Sequence, residues 1–311
     1  MSHPRARERG RPQRGRAPLR RAALALAATM LLGTGDAHAW CQLRTGPDRS
    51  SAGVCEVEGE PMAWPNRCLS YSVDTRGSDT FSAADLERIT AAAFANWSTF
   101  GCDAAPFPLA FRADALRECN LGQHRNSGPN VHTVAFAEEW TFDASAFAVT
   151  TVWNNANTGE ILDADILINP NQGPYAECPE EGCVADDSGV VASDLESILT
   201  HEVGHFLGLA HSQFGFATMH ASAARGEAIK RSISSDDNLG VCAIYPPEAS
   251  APVCTDELFE PRGGLAELCE PQSGCSTGGA GGAWWLALIA LLLRPRRSTS
   301  AQRRRRSSTA R

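Results

Sequence analysis

Between residues 64 and 247 the apolar positions follow two rhythms, one of strands and one of helices. Residues 69–74 alternate like a half-buried strand. Residues 82–100 repeat at helical spacing, with Leu86, Ile89, Ala93, Phe94 and Trp97 on one face. Ser82 with Asp85 suits an N-cap and its N3 acid, Phe81 with Leu86 fits a hydrophobic staple, and Gly101 ends the run. Short strands are predicted at 108–112 and 131–136, followed by a hairpin of 146–153 and 160–168 joined by Asn, Thr and Gly. A second helix opens at Ser193-Asp194-Leu195-Glu196, a capping-box pattern, and its core stripe is Leu195, Leu199, Val203 and Phe206. Residues 40–63 are polar, glycine-dotted and cysteine-bearing, and read as an irregular lead around the domain.

The two ends of the 311-residue chain are patterned differently. Residues 1–21 are rich in arginine, residues 22–33 form a short apolar run, and Ala37-His38-Ala39 is a small-x-small cleavage site. Residues 1–39 therefore read as a secretory signal, with a mature start near Trp40. At the other end, 248–274 is rich in Pro, Gly, Ala and Glu and reads as a stalk. Then come Cys275, a glycine-rich spacer, eleven apolar residues at 283–293, and arginines at 294, 296, 297 and 303–306. This tripartite 275–311 segment resembles the Myxo-CTERM class of bacterial sorting signal. The resemblance implies a transient membrane anchor removed near Cys275, and a protein exported to the cell surface or released.

Setting those ends aside changes the charge. Segment 40–274 carries 12 Lys and Arg against 34 Asp and Glu, a formal charge of −22. So acidic a surface argues against nucleic acid and anionic lipid as partners, leaving the membrane to the C-terminal segment alone. Of eleven cysteines, Cys275 belongs to the sorting pattern, and the other ten form an even set that reads as up to five disulfides. Cys178 with Cys183, Cys41 with Cys55, and Cys254 with Cys269 are the local pairs expected; partners for Cys68, Cys102, Cys119 and Cys242 stay open.

The strongest chemical signal is His201-Glu202-Val203-Gly204-His205-Phe206-Leu207-Gly208-Leu209-Ala210-His211. Four residues apart on a helix, His201 and His205 share a face, while Glu202 lies about 100° further round. Gly208 can adopt the left-handed conformation that ends a helix, and such a turn would return His211 as a third nitrogen donor. Three neutral imidazoles with one open position make a catalytic zinc site, where zinc lowers the pKa of water to about 7 and Glu202 can act as general base. No G-x-S-x-G motif is present to support serine chemistry.

This pattern resembles the metzincin zinc peptidases. Met219 follows His211 by eight residues in Ala217-Thr218-Met219-His220, where that family carries a Met-turn beneath its metal. The short spacing, Ser212, and the run from Asp236-Asp237 through Gly240 to Tyr245 are similar to the matrixin branch. The resemblance implies an α+β domain over 64–247: a twisted five-stranded mixed sheet with an antiparallel edge strand, an active-site helix and a small C-terminal subdomain. It implies a monomeric zinc-dependent endopeptidase of extracellular proteins, with protein or peptide as its partner. The 146–153 strand would be the edge above the metal, holding an extended peptide through the backbone of 147–152. The loop beyond Ala221 would shape the pocket downstream of the scissile bond. A zinc-containing surface protein that binds peptide with weak or no cleavage, or a zinc hydrolase of other substrates, are the alternatives; an intact Glu202 argues against the first and the edge strand against the second.

Some family features are missing. His124 and His132 lack the spacing of the matrixin structural zinc site, and Ala221 stands where some metzincins approach an assisting tyrosine. Asn66-Arg67-Cys68 only faintly echoes a latency cysteine motif, and Cys68 reads as disulfide-bonded. The long loop 170–192 and the acids Asp163, Asp165, Asp186 and Asp187 supply oxygen donors that could hold Ca2+ beside the catalytic Zn2+.

Overall fold

A computed structural model of the chain describes residues 39–46, 55, 58–115, 124, 130–248 and 250–259, with the backbone of 308–310. Of the expected secretory signal at 1–39 all but Ala39, and Cys275, expected to act in sorting, lie outside the described residues. The elements run in the order β1 (Cys41–Gln42), β2 (Cys68–Val73), α1 (Ala83–Trp97), β3 (Ala110–Ala113), β4 (Thr133–Phe136), β5 (Ala148–Asn154) and β6 (Ile161–Ile168). They continue with β7 (Tyr175–Ala176), β8 (Ser193–Asp194), α2 (Leu195–Phe206), β9 (Leu209–Ala210), a 3-10 turn at Ile229–Arg231, α3 (Ser235–Ile244) and β10 (Ser308–Ala310).

The main sheet has the order β3-β2-β4-β6-β5, parallel except for the antiparallel β5–β6 pair. This is the expected five-stranded mixed sheet with an antiparallel edge. Outside β5, the backbone of 308–310 adds a short antiparallel strand, with Ser308 opposite Val152 and Ala310 opposite Thr150. β2 is buried along its whole length, serines included, so it is an interior strand covered on both faces rather than a half-buried one.

Two helices carry the layer under the sheet. Helix α1 starts at the expected capping box, Ser82 with Asp85, and buries Leu86, Ile89, Ala93, Phe94 and Trp97. Phe94 stacks on Tyr71 of β2 with ring centroids 4.0 Å apart. Trp97 donates its Nε1 hydrogen to Thr200 O of α2 at 2.9 Å, which locks the two helices together. Helix α2 buries Leu195, Leu199, Val203 and Phe206 as the periodicity predicts. Its N-cap, however, is Asp194 and not Ser193: Asp194 accepts from Ser197 N at 2.9 Å, while Ser193 is spent pairing with Tyr175. Glu196, the expected reciprocal acid, instead meets Asn96 and Arg231.

The far end of α2 is satisfied by side chains from distant segments. Trp64 Nε1 donates to Phe206 O at 2.8 Å and Tyr245 Oη to Leu207 O at 3.0 Å, so two carbonyls that a helix end leaves open have partners. Gly208, at φ +91°, then turns the chain into β9, which pairs with β1. Cys41–Cys55 and Cys178–Cys183 form as expected. Cys254 does not pair with Cys269: its partner is Cys68, 186 residues away, and Cys102 joins Cys242 across 140 residues. The segment around Cys254 therefore lies against the first long strand, which explains why sequence proximity misled the assignment.

Gly204 offers a direct test of this packing. A methyl group there would lie 2.1 Å from Met219 Sδ and 2.8 Å from Trp97, whereas at Gly215 it would meet nothing within 4 Å. Overpacking of this kind costs about 1–3 kcal/mol. Thermal melts should show Gly204→Ala lowered by roughly 2–10 °C and Gly215→Ala close to wild type; equal melting of the two variants would disprove the close contact.

Candidate metal centre and active site

His201 and His205 lie one turn apart on α2, and the Gly208 turn brings His211 back to face them. The three rings offer one nitrogen each within 4.8 Å of one another, forming the one cluster of three among the described residues that could hold a metal. Two rings are oriented by backbone carbonyls. His201 Nδ1 lies 2.6 Å from Thr218 O, and His205 Nδ1 lies 2.8 Å from Leu209 O. A carbonyl can only accept, so both Nδ1 atoms carry the hydrogen and both Nε2 atoms present lone pairs. His205 Nε2 and His211 Nε2 face each other at 3.2 Å, an arrangement that a shared cation relieves. Burial, then the Lys230 charge and the neighbouring imidazoles, holds His201 well below the ordinary histidine range. Burial, then His205, pushes His211 down to about 2. Neutral nitrogen donors in this number suit zinc.

Glu202 points to the same cleft from the next position on α2. It is buried, and its Oε2 accepts from the Thr150 hydroxyl of β5 at 2.7 Å. Among the described residues its other carboxyl oxygen has no hydrogen bond. Burial pushes its pKa up to about 7, against the opposing pull of Thr150 and Lys230.

Met219 sits under α2, where the missing side chain of Gly204 makes room for its sulfur. The turn that carries it is held by one buried carboxylate. Asp237 accepts from Thr218 N at 2.7 Å, from Met219 N at 3.1 Å and from Ser234 in the capping box of α3. Asp236 accepts from Ser212 Oγ at 2.6 Å and from the backbone N–H of Ala39 and Trp40. The Asp236-Asp237 pair thus ties α3 to the start of the described chain and to the segment beneath the histidines.

The oxygen donors considered for calcium do not form a metal-holding cluster among the described residues. Asp186 spends Oδ1 on Ser188 and Val190 of its own loop, and Asp165 accepts from Thr133 N. Asp163 is buried beside His124, whose Nδ1 is 3.3 Å away, and burial raises its carboxyl well above the usual range. Cys68, bonded to Cys254, is not a free thiol for the cleft.

Two residues at the site escaped sequence reading. Thr150 is one threonine of a strand whose pattern says only that it is one arm of a hairpin, and its partner is 52 residues away. Lys230 lines a cavity of about 440 Å³ beside Glu202, together with Phe147, Ala148, Ile198, His201 and Ala221. Its signal was compositional: Lys230 is the only lysine in the chain.

Comparison with known proteins agrees with this geometry. The matrixin family pattern matches residues 63–246, more than half of the chain. Metalloendoproteinase 1-MMP of Arabidopsis thaliana is 29% identical over 195 residues, covering 61% of this chain and 46% of that protein. Matrix metalloproteinase-23 of Homo sapiens is 28% identical over 204 residues, covering 64% of this chain and 45% of that protein. Metalloendoproteinase 4-MMP of Arabidopsis thaliana is 38% identical over 60 residues, 19% of this chain and 17% of that protein. The chain thus spans under half the length of these relatives. With the five-stranded mixed sheet, the histidine cluster and the family match in agreement, the chain belongs to the matrixins, a family of zinc metallopeptidases.

Proposed function

We propose that the protein is an exported zinc-dependent endopeptidase that hydrolyses peptide bonds of extracellular proteins, with His201, His205 and His211 holding the metal and Glu202 as general base. The observation that carries this reading is the convergence of three imidazoles beside a buried carboxylate, under the edge of β5. Zinc, when bound, acidifies the attacking water to near neutrality and polarises the substrate carbonyl. Glu202 takes the proton of that water and passes it to the leaving amine, so that hydroxyl joins the carbonyl carbon as the C–N bond breaks. Thr150 fixes one oxygen of Glu202 and leaves the other for the water. Met219 touches no substrate; it supports α2 from below. A peptide takes the antiparallel position that 308–310 holds along β5 and continues past Ala148, bound mainly through backbone atoms.

In this reading the chain comprises a secretory signal at 1–39, a lead at 40–63, the catalytic domain at 64–247, a stalk at 248–274 and a sorting segment at 275–311 acting through Cys275. No helix among the described residues is long and apolar enough to cross a membrane. The catalytic domain works as a monomer, at the cell surface or released.

Three outcomes are expected. Incubated with an unfolded protein, the purified chain cleaves it, and a chelator stops cleavage until zinc is restored; cleavage indifferent to chelation refutes the reading. Glu202→Gln retains stoichiometric zinc by elemental analysis and loses on the order of 10²- to 10⁴-fold in kcat. His211→Ala loses zinc and melts at a lower temperature than wild type, because metal binding to the folded state alone stabilises it; an unchanged metal content would remove His211 from the ligand set.

A further inference from the structure

We propose that the cavity beside the histidines selects substrates with an acidic side chain immediately after the scissile bond, and that Lys230 is the residue that selects it. This deepens the endopeptidase reading and rests on it.

Direction comes first. A peptide antiparallel to β5 runs from the Asn154 end toward Phe147, as 308–310 does in lying with Ser308 opposite Val152 and Ala310 opposite Thr150. The carboxylate of Glu202 is anchored at Thr150. Residues after the scissile bond therefore pass Ala148 and Phe147, where the cavity opens.

The cavity wall is apolar at Phe147, Ile198 and Ala221, with Lys230 set into it. The Lys230 side chain is buried, and its ammonium donates to Thr218 O at 3.1 Å and to His220 O. It lies 3.5 Å from His201 Nδ1, but that nitrogen already gives its hydrogen to Thr218 O and cannot accept. Two of three ammonium hydrogens are thus used, and no carboxylate among the described residues forms an ion pair with Lys230. Asp143 also lines the cavity; its Oδ1 accepts from Ser145 N at 2.8 Å and Ser145 Oγ at 2.7 Å. Glu227, Asp237 and Glu202 favour the Lys230 charge from a distance without touching it, and a carboxylate entering from the cleft adds the direct contact that offsets the cost of burying the ammonium. The chain uses arginine for its 27 other Lys/Arg positions. A compact ammonium, not a planar guanidinium, fits between two converging carbonyls and keeps a hydrogen for a ligand.

The rival explanation makes Lys230 only a tether for the two turn carbonyls, and the experiment separates the two. Peptides differing only by Glu, Gln or Leu after the scissile bond are compared with the full zinc-loaded chain. The expected kcat/KM for Glu exceeds that for its isostere Gln by about 10- to 100-fold, and Lys230→Met erases that ratio. A Gln or Leu peptide cleaved as well as Glu overturns the proposal, as does a Lys230→Met variant that melts lower yet keeps the ratio. If Lys230→Met fails to fold, the wild-type comparison stands by itself. A second arm needs no turnover. Peptide hydroxamates carrying a carboxyethyl or a carbamoylethyl side chain are titrated into Glu202→Gln with carbon-13 lysine, whose single Cε resonance reports on Lys230 alone. The carboxylate should bind about tenfold or more tighter and move that resonance; equal binding with no movement contradicts the proposal. Carboxylate preference here without cleavage of any peptide would reject the peptidase reading and keep the cavity assignment.

Discussion

Everything at the metal centre depends on where two backbone carbonyls point. Thr218 O and Leu209 O each take the Nδ1 hydrogen of a histidine, and in doing so turn the opposite lone pairs of His201 and His205 toward one point. Neither carbonyl belongs to α2. One arrives through the left-handed turn at Gly208, the other through the segment that also carries Met219. That segment is fixed in turn by Asp237, which accepts the backbone N–H groups of Thr218 and Met219 while capping α3. The last helix of the domain thereby sets the orientation of a histidine 36 positions earlier in the chain. Such outer partners hold imidazole rings in one tautomer and one plane, so a metal binding there would meet a preformed site.

The second organising constraint is charge. The 40–274 segment carries a formal charge of −22, yet the cleft gathers a buried ammonium beside a cluster suited to a divalent cation. Within that low-dielectric pocket a substrate carboxylate is welcome, whereas the outer surface repels it. Selectivity of this kind comes from the desolvated contact itself and is little screened by salt.

How much of this was legible depended on the range of the interaction. The periodicity of α1 and α2, the β5–β6 hairpin and the histidine spacing are local, and they could be read directly from residues such as Leu86, Phe94, His201 and His205. The Gly208 turn was legible too, because its left-handed backbone is a glycine property. What failed was pairing between distant segments. Cys254 was assigned to nearby Cys269, but the fold delivers it to Cys68; Ser193 matched a capping box, but strand pairing with Tyr175 leaves Asp194 as the cap. Thr150 and Lys230 lie 52 and 29 positions from the residues they touch at the site, and no local pattern distinguishes them from ordinary strand and loop residues.

Anomalous diffraction at the zinc edge from crystals of the purified protein tests the central claim most directly. The account predicts one peak about 2.0–2.1 Å from Nε2 of His201, His205 and His211, with both Nδ1–carbonyl bonds intact. No peak between those rings, or one ligated through Nδ1 of His201 or His205, would contradict it.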